Sequence, residues 1–226
     1  MKLVLLPGMD GTGELFYPLL EKLPLNLDIQ VITFSKCEKQ SYGELSSKIK
    51  QQLPTTPFVL VAESFSGVLA YRISLDNEIP LQKLILIATF LENPRPMLLR
   101  FLQLIPHSLM FSNLQPSFLY QIFCLGHKGD SNLLAALKNS LKHVDKSVLA
   151  NRLQLISGLD FPSEMSSVET LIINPLKDRL VPKSVSSRIQ SRFADAAVKE
   201  VDGPHFISQV CAEDVSGYIL NFIDKP

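Results

Sequence analysis

Apolar residues along the chain fall into two kinds of run. The first is short, nearly unbroken and rich in Val, Ile and Leu: KLVLL (2–6), DIQVITF (28–34), FVLVA (58–62), KLILIAT (83–89), ETLIIN (169–174) and AVKEVD (197–202). Most of these runs lack polar alternation, which predicts parallel strands buried on both faces. The second kind repeats at helical spacing: GELFYPLLEKL (13–23), SYGELSSKIKQQL (41–53), SGVLAYRISLD (66–76), KSVSSRIQSRF (183–193) and AEDVSGYILNFI (212–223). Strand and helix alternate, so the expected fold is an α/β domain. Its mostly parallel six-stranded sheet is flanked by helices and joined by right-handed crossovers.

One interval interrupts the rhythm. Between Thr89 and Glu169 no clear strand occurs, and structureless loops longer than roughly 15 residues are uncommon in compact domains. The interval carries helical patterns of its own: PMLLRFLQLI, PSFLYQIFCL, NLLAALKNSLKHV and KSVLANRLQLI. Pro106, Pro116 and the GHKGD turn at 126–130 punctuate them. The expectation is one domain over 1–226, with a helical cap insertion over approximately 92–158 whose last helix packs back on the core. The first insertion helix is apolar almost all round, so Leu98, Phe101 and Leu102, with Phe111 beyond them, are expected to line an oily pocket. The plainer alternative is that these residues only pack the insertion onto the core.

Bulk composition narrows the partners. In the 226 residues, Lys plus Arg and Asp plus Glu both number 22, giving zero formal net charge. With no long charged run, nucleic-acid binding and electrostatic attachment to anionic membranes have little support. Hydrophobic residues make up 46% and mean hydropathy is +0.18. The oiliest stretch, 97–111, is interrupted by Arg100, Pro106 and His107 and is too short to span a bilayer, so no stable membrane insertion is expected. KLVLLPG reads as a strand and turn rather than a signal peptide. The three widely spaced cysteines, Cys37, Cys124 and Cys211, form neither a disulfide framework nor a metal motif and suit the cytoplasm. No metal site and no cofactor are expected. The oligomeric state is not written in the sequence.

Chemistry gathers where strands end. FVLVA runs through A-E-S-F-S-G into an amphipathic helix. A nucleophile elbow needs small residues two before and two after the serine, because both crowd neighbouring backbone. Ala62 and Ser66 meet that demand around Ser64, and Gly67 eases helix packing on the sheet. The plain alternative is a serine-capped helix start. LLPGMDGTGEL (5–15) is a Gly-rich strand-to-helix loop. It matches neither phosphate-binding pattern, so an oxyanion loop is the better reading, with backbone N–H donors from Met9 and Phe65. Asp10 and Thr12 are placed to brace it. Asp178, in KDRLVP, and His205, in DGPHF, follow at strand ends in the order that an acid and a histidine require. Asp160 and Asp202 are reserve acids. His107, His127 and His143 fall in the insertion. Glu63 has no assigned task beyond structure.

With LPGMDGTG, AESFSG, KDRLVP and DGPHF on the page, the sequence resembles the α/β-hydrolase superfamily over essentially its whole length. More loosely it is similar to small bacterial esterase- and thioesterase-like hydrolases and to the hydrolase-like portion of plastid phytyl ester synthases. It departs in having Leu-Pro-Gly where many members have His-Gly, and in lacking two leading strands. The resemblance implies a serine hydrolase with Ser64 as nucleophile, His205 as base and Asp178 as orienting acid. The expected substrate is a small-molecule ester or acyl compound, cleaved through an acyl-enzyme. A thioesterase or acyltransferase with the same three residues stays open, as do lyase chemistry and a non-catalytic ligand-binding protein on the same scaffold.

Overall fold

The computed structural model describes residues 2–106, 109, 111 and 116–224. His107, and with it part of the expected insertion, lies outside the described residues. Strands β1 (Lys2–Leu6), β2 (Asp28–Val31), β3 (Phe58–Glu63), β4 (Leu81–Ile87), β5 (Glu169–Pro175) and β6 (Ala196–Val201) form one sheet in the order β2-β1-β3-β4-β5-β6. Every neighbouring pair is parallel. Successive side chains on the central strands separate into two apolar layers. Val4, Leu6, Leu60, Leu84 and Leu86 face one way, and Leu3, Leu5, Val59, Ile85 and Ile87 face the other. This is the period of two acting on strands that are apolar at every position.

Helices cover both layers: α1 (Tyr17–Leu20), α2 (Tyr42–Lys50), α3 (Ser66–Ser74) and, after the interval below, α8 (Lys183–Ser186), α9 (Ile207–Val210) and α10 (Ala212–Ile223). Helix α2 starts where Ser41 and Glu44 cap each other's backbone N–H groups in a capping box. Tyr42, Leu45 and Ile49 then fall on its buried face. On the opposite layer, Val215, Ile219 and Phe222 of α10 pack against the sheet. Between β4 and β5 lie α4 (Pro96–Leu102), α5 (Ser117–Tyr120), α6 (Ser131–Lys142) and α7 (Lys146–Ser157). Ile156 joins the core layer that holds Val4 and Leu60, so α7 does pack back on the sheet side.

Several expected elements are cut short for identifiable reasons. The run 13–23 becomes a 3₁₀ turn (Glu14–Phe16) and then α1, because Pro18 lacks an N–H and fits only a first helical turn. The run 28–34 is a strand only to Val31. Beyond it, the Phe34 N–H donates to Gly11 O, so the chain follows the Gly-rich loop instead. The run 183–193 breaks into α8 and a 3₁₀ turn (Ile189–Arg192). There Ser186 and Ser191 hydroxyls bond backbone carbonyls three residues back, competing with helix extension. Strand β6 is an edge strand with Ala197, Val198, Lys199 and Glu200 exposed, in keeping with the polar residues that its run carries.

Candidate active site

The order of strands reverses direction at β1: the chain goes first to β2 on one side, then crosses to β3 on the other. In open parallel sheets this switch point opens a crevice beyond the strands' carboxyl ends. The Gly-rich loop leaves β1 there, and Ser64 leaves β3 there. Ser64 has φ 51, a left-handed conformation that a non-glycine residue adopts only when its surroundings hold it. They do. Its N–H donates to Ile87 O at 2.9 Å, and its carbonyl accepts from Gly67 N at 3.0 Å and Thr89 Oγ1 at 2.6 Å. Ala62 and Ser66 are both fully buried. Ser66 does more than stay small, because its hydroxyl donates to Pro7 O and ties the turn to the Gly-rich loop. A Cβ at Gly67 would fall 1.7 Å from Thr89 Oγ1, so only glycine fits there.

The sequence-expected polar residues meet at this turn. The Ser64 hydroxyl lies 2.8 Å from His205 Nε2, and His205 Nδ1 lies 2.7 Å from Asp178 Oδ2. Since Nδ1–H donates to the carboxylate, Nε2 is the acceptor for the serine proton. Asp178 is itself held by N–H donors from Leu180 at 2.8 Å and Val181 at 2.9 Å, both to Oδ1. Burial disfavours the charged imidazole. The charge and hydrogen bond of Asp178, with a contribution from Glu63, outweigh burial and raise the His205 pKa. Asp202 instead pairs with Lys177 at 2.6 Å, away from the histidine.

The Gly-rich loop folds over Ser64 closely enough that a Cβ on Gly8 would sit 3.9 Å from Ser64 Cβ. Asp10 Oδ2 accepts from the Thr12 N–H and hydroxyl, closing the loop on itself. Among the described residues, neither the Met9 nor the Phe65 N–H donates to a protein acceptor. Arg152 was not singled out from the sequence. It reaches from α7 and donates to Met9 O at 2.8 Å, Asp10 O at 2.7 Å and Ser35 O at 2.7 Å. Burial lowers its pKa to about 10 against the raising effect of Asp10, so it stays charged at neutral pH. A signal existed: Val148, Arg152 and Ile156 share one helix stripe, and an arginine on an apolar stripe must find buried acceptors.

Glu63 is buried and contacts Gln209 Nε2 through Oε1 at 3.2 Å and Oε2 at 3.3 Å. Burial pushes its pKa up to about 7. The Gln209 hydrogen bond and His205 pull it down, and Asp10 pushes it further up. Cys124 is a nearby thiol, but burial and then the Asp178 charge push its pKa up to about 12, so it stays protonated. Its carbonyl accepts from Phe206 N at 3.1 Å, tying the insertion to the loop that carries His205.

Ser64, His205, Met9 and Glu63 open onto a cavity of about 490 Å³, a size typical of small-molecule sites. Leu98, Leu102 and Phe111 line it, joined by Leu99, Leu119 and Phe123. Phe101 does not, which corrects its expected place in the pocket. Helix α4 turns Leu98, Leu99 and Leu102 inward and leaves Phe101 on its outer side, 64% exposed. A helix wrapped in apolar residues can offer only one face to a cavity. Among the described residues no cluster of His, Cys, Asp or Glu could hold a metal ion.

No protein-family model matches the chain, and no curated protein matches it by sequence. Solved structures do match in three dimensions. A hydrolase from Oleispira antarctica superposes with TM-score 0.83 at 14% identity, over 100% of this chain and 91% of that one. An esterase from Exiguobacterium antarcticum gives 0.82 at 16%, over 100% and 92%. The enol-lactonase from Burkholderia xenovorans gives 0.81 at 15%, over 99% and 91%. The all-parallel sheet, its flanking helices and these likenesses define the α/β-hydrolase fold, and this chain has it.

Proposed function

We propose that this protein is a serine hydrolase that cleaves carboxylic esters of hydrophobic acyl compounds through an acyl-enzyme. One observation carries the reading: the unbroken relay Ser64–His205–Asp178 opens into an apolar cavity. The Ser64 oxygen attacks the ester carbonyl while its proton passes to His205 Nε2. Negative charge gathers on the former carbonyl oxygen, within reach of the Met9 and Phe65 N–H groups. One such donor is typically worth ~3 kcal/mol of transition-state stabilisation. Asp178 fixes the imidazole tautomer and stabilises its charged form. The imidazolium protonates the leaving alcohol. Water, deprotonated by the same histidine, then releases the acid and restores Ser64. The helices between β4 and β5 act as a cap whose inner face, including Leu98 and Leu102, receives the acyl chain. The esterase and enol-lactonase among the structural neighbours are consistent with acyl chemistry on this fold.

A series of p-nitrophenyl esters of rising acyl length, run beside acyl-coenzyme A thioesters, tests the reading. kcat/KM for the esters is expected to rise with chain length until the cavity is filled, and Ser64→Ala is expected to abolish turnover. Faster turnover of the thioesters would move the assignment to a thioesterase. Turnover that survives Ser64→Ala would remove the serine mechanism.

A further inference from the structure

Most large apolar side chains exposed among the described residues lie between Met97 and Phe123, in the segment that walls the cavity. On the outer side of α4 and the turn after it, Met97, Phe101 and Leu104 are 76%, 64% and 78% exposed. Their i, i+4, i+7 spacing makes them one stripe. Phe118 is exposed on α5 and Ile122 on the π-helical turn that follows it (Gln121–Leu125), in the other segment that walls the cavity. Leu98 and Phe123 are partly exposed and line the cavity. The exposed stripe and the apolar lining are thus carried by the same short segments.

Charge around this stripe is one-sided. No acidic residue occurs between Glu92 and Asp130. Arg100 sits three residues after Met97 and four before Leu104, at the stripe's edge. Arg95 lines the cavity and donates to Arg179 O at 2.9 Å, placing a third arginine beside it. Among the described residues, Arg95, Arg100 and Arg179 form no ion pair with a carboxylate. The zero net charge of the whole chain conceals this local excess. Exposed apolar side chains edged by unpaired arginines match an anionic lipid surface, where the side chains enter the headgroup boundary and the arginines meet phosphates. A second copy fits less well. A two-fold contact would set this cationic face against itself.

We propose that the outer face of α4 and α5 docks on anionic lipid surfaces and turns the cavity's apolar wall toward the lipid, so that hydrophobic substrate reaches Ser64 without crossing water. The inference extends the hydrolase reading, but vesicle binding is read without catalysis, so either can fail alone. The test is flotation of the full chain with phosphatidylcholine vesicles, with and without phosphatidylglycerol, beside sedimentation velocity of the free protein. Binding is expected with phosphatidylglycerol and should weaken with salt. Joint Phe101→Asp and Leu104→Asp substitution should lower the partition coefficient at least about tenfold. Arg100→Glu should reduce the preference for anionic vesicles. Turnover of a short, water-soluble ester by the double variant should stay within about twofold of wild type, since neither side chain lines the cavity. The proposal is overturned if neither vesicle binds or if the double variant floats as well as wild type. A dimer that the double variant dissolves would overturn it in favour of a second copy.

Discussion

Glu63 precedes Ser64 and is the residue whose task the motifs left open. Its carboxyl is buried, bonded to Gln209 and close enough to His205 for each to shift the other's pKa. Its folded pKa of about 7 stands above the ordinary carboxyl value of 4.5, so between those values the folded protein keeps a proton that the unfolded chain has lost. The stability this brings is complete below about 4.5 and disappears as pH rises through about 7. Glu63→Gln is free of that loss. Denaturation at about pH 5 and about pH 8 should show the variant gaining on wild type by on the order of 2 kcal/mol. The same substitution removes a charge that raises the His205 pKa. The acid limb of kcat/KM, where His205 gains its proton, is expected to move to lower pH, and an unmoved limb would separate the two groups. Ser64, Asp178 and His205 were legible in the sequence because each ends a strand in a fixed order. Glu63 was not, since burial of a carboxylate depends on Gln209 and the loops around it, all distant in the chain.

Helix α7 acts on the site from outside it. Arg152 binds the carbonyls of Met9 and Asp10 and so fixes the Gly-rich loop beside Ser64. Replacing it with Met keeps the apolar stem but leaves three carbonyls short of a donor, the buried one of Asp10, worth about 1–3 kcal/mol, and the part-buried ones of Met9 and Ser35. Thermal unfolding should show a large loss of stability. Ester turnover should fall in kcat by about tenfold or more with a smaller change in KM, because under the proposed mechanism the loop carrying the Met9 N–H acts mainly in the transition state. Helix α3 meets the sheet as tightly. Gly67→Ala must displace Thr89, which also holds the Ser64 carbonyl. Overpacking of this kind typically destabilises by about 1–3 kcal/mol, measurable by urea denaturation. Element existence was legible from periodicity, whereas ends were not. Pro18, the serines of 183–193 and the pull of the Gly-rich loop on Phe34 each cut a run short through contacts or chemistry that an apolar pattern does not carry.

The molecule as a whole follows from six apolar runs with helices between them and one long helical interval. Sheet order itself was not written in those runs. It emerges from right-handed crossovers and from the return of the chain across β1, which puts the Gly-rich loop and Ser64 at the same crevice. Three loops that are far apart in the chain then complete one relay, and the helices between β4 and β5 roof it with apolar side chains. The central claim is that this relay makes Ser64 a nucleophile. Intact-protein and peptide mass spectrometry after treatment with a serine-reactive fluorophosphonate tests it most directly. The expected result is one stoichiometric adduct on the peptide bearing Ser64, absent in Ser64→Ala and formed far more slowly in His205→Ala. An unlabelled Ser64, or labelling at equal rate without His205, would contradict it.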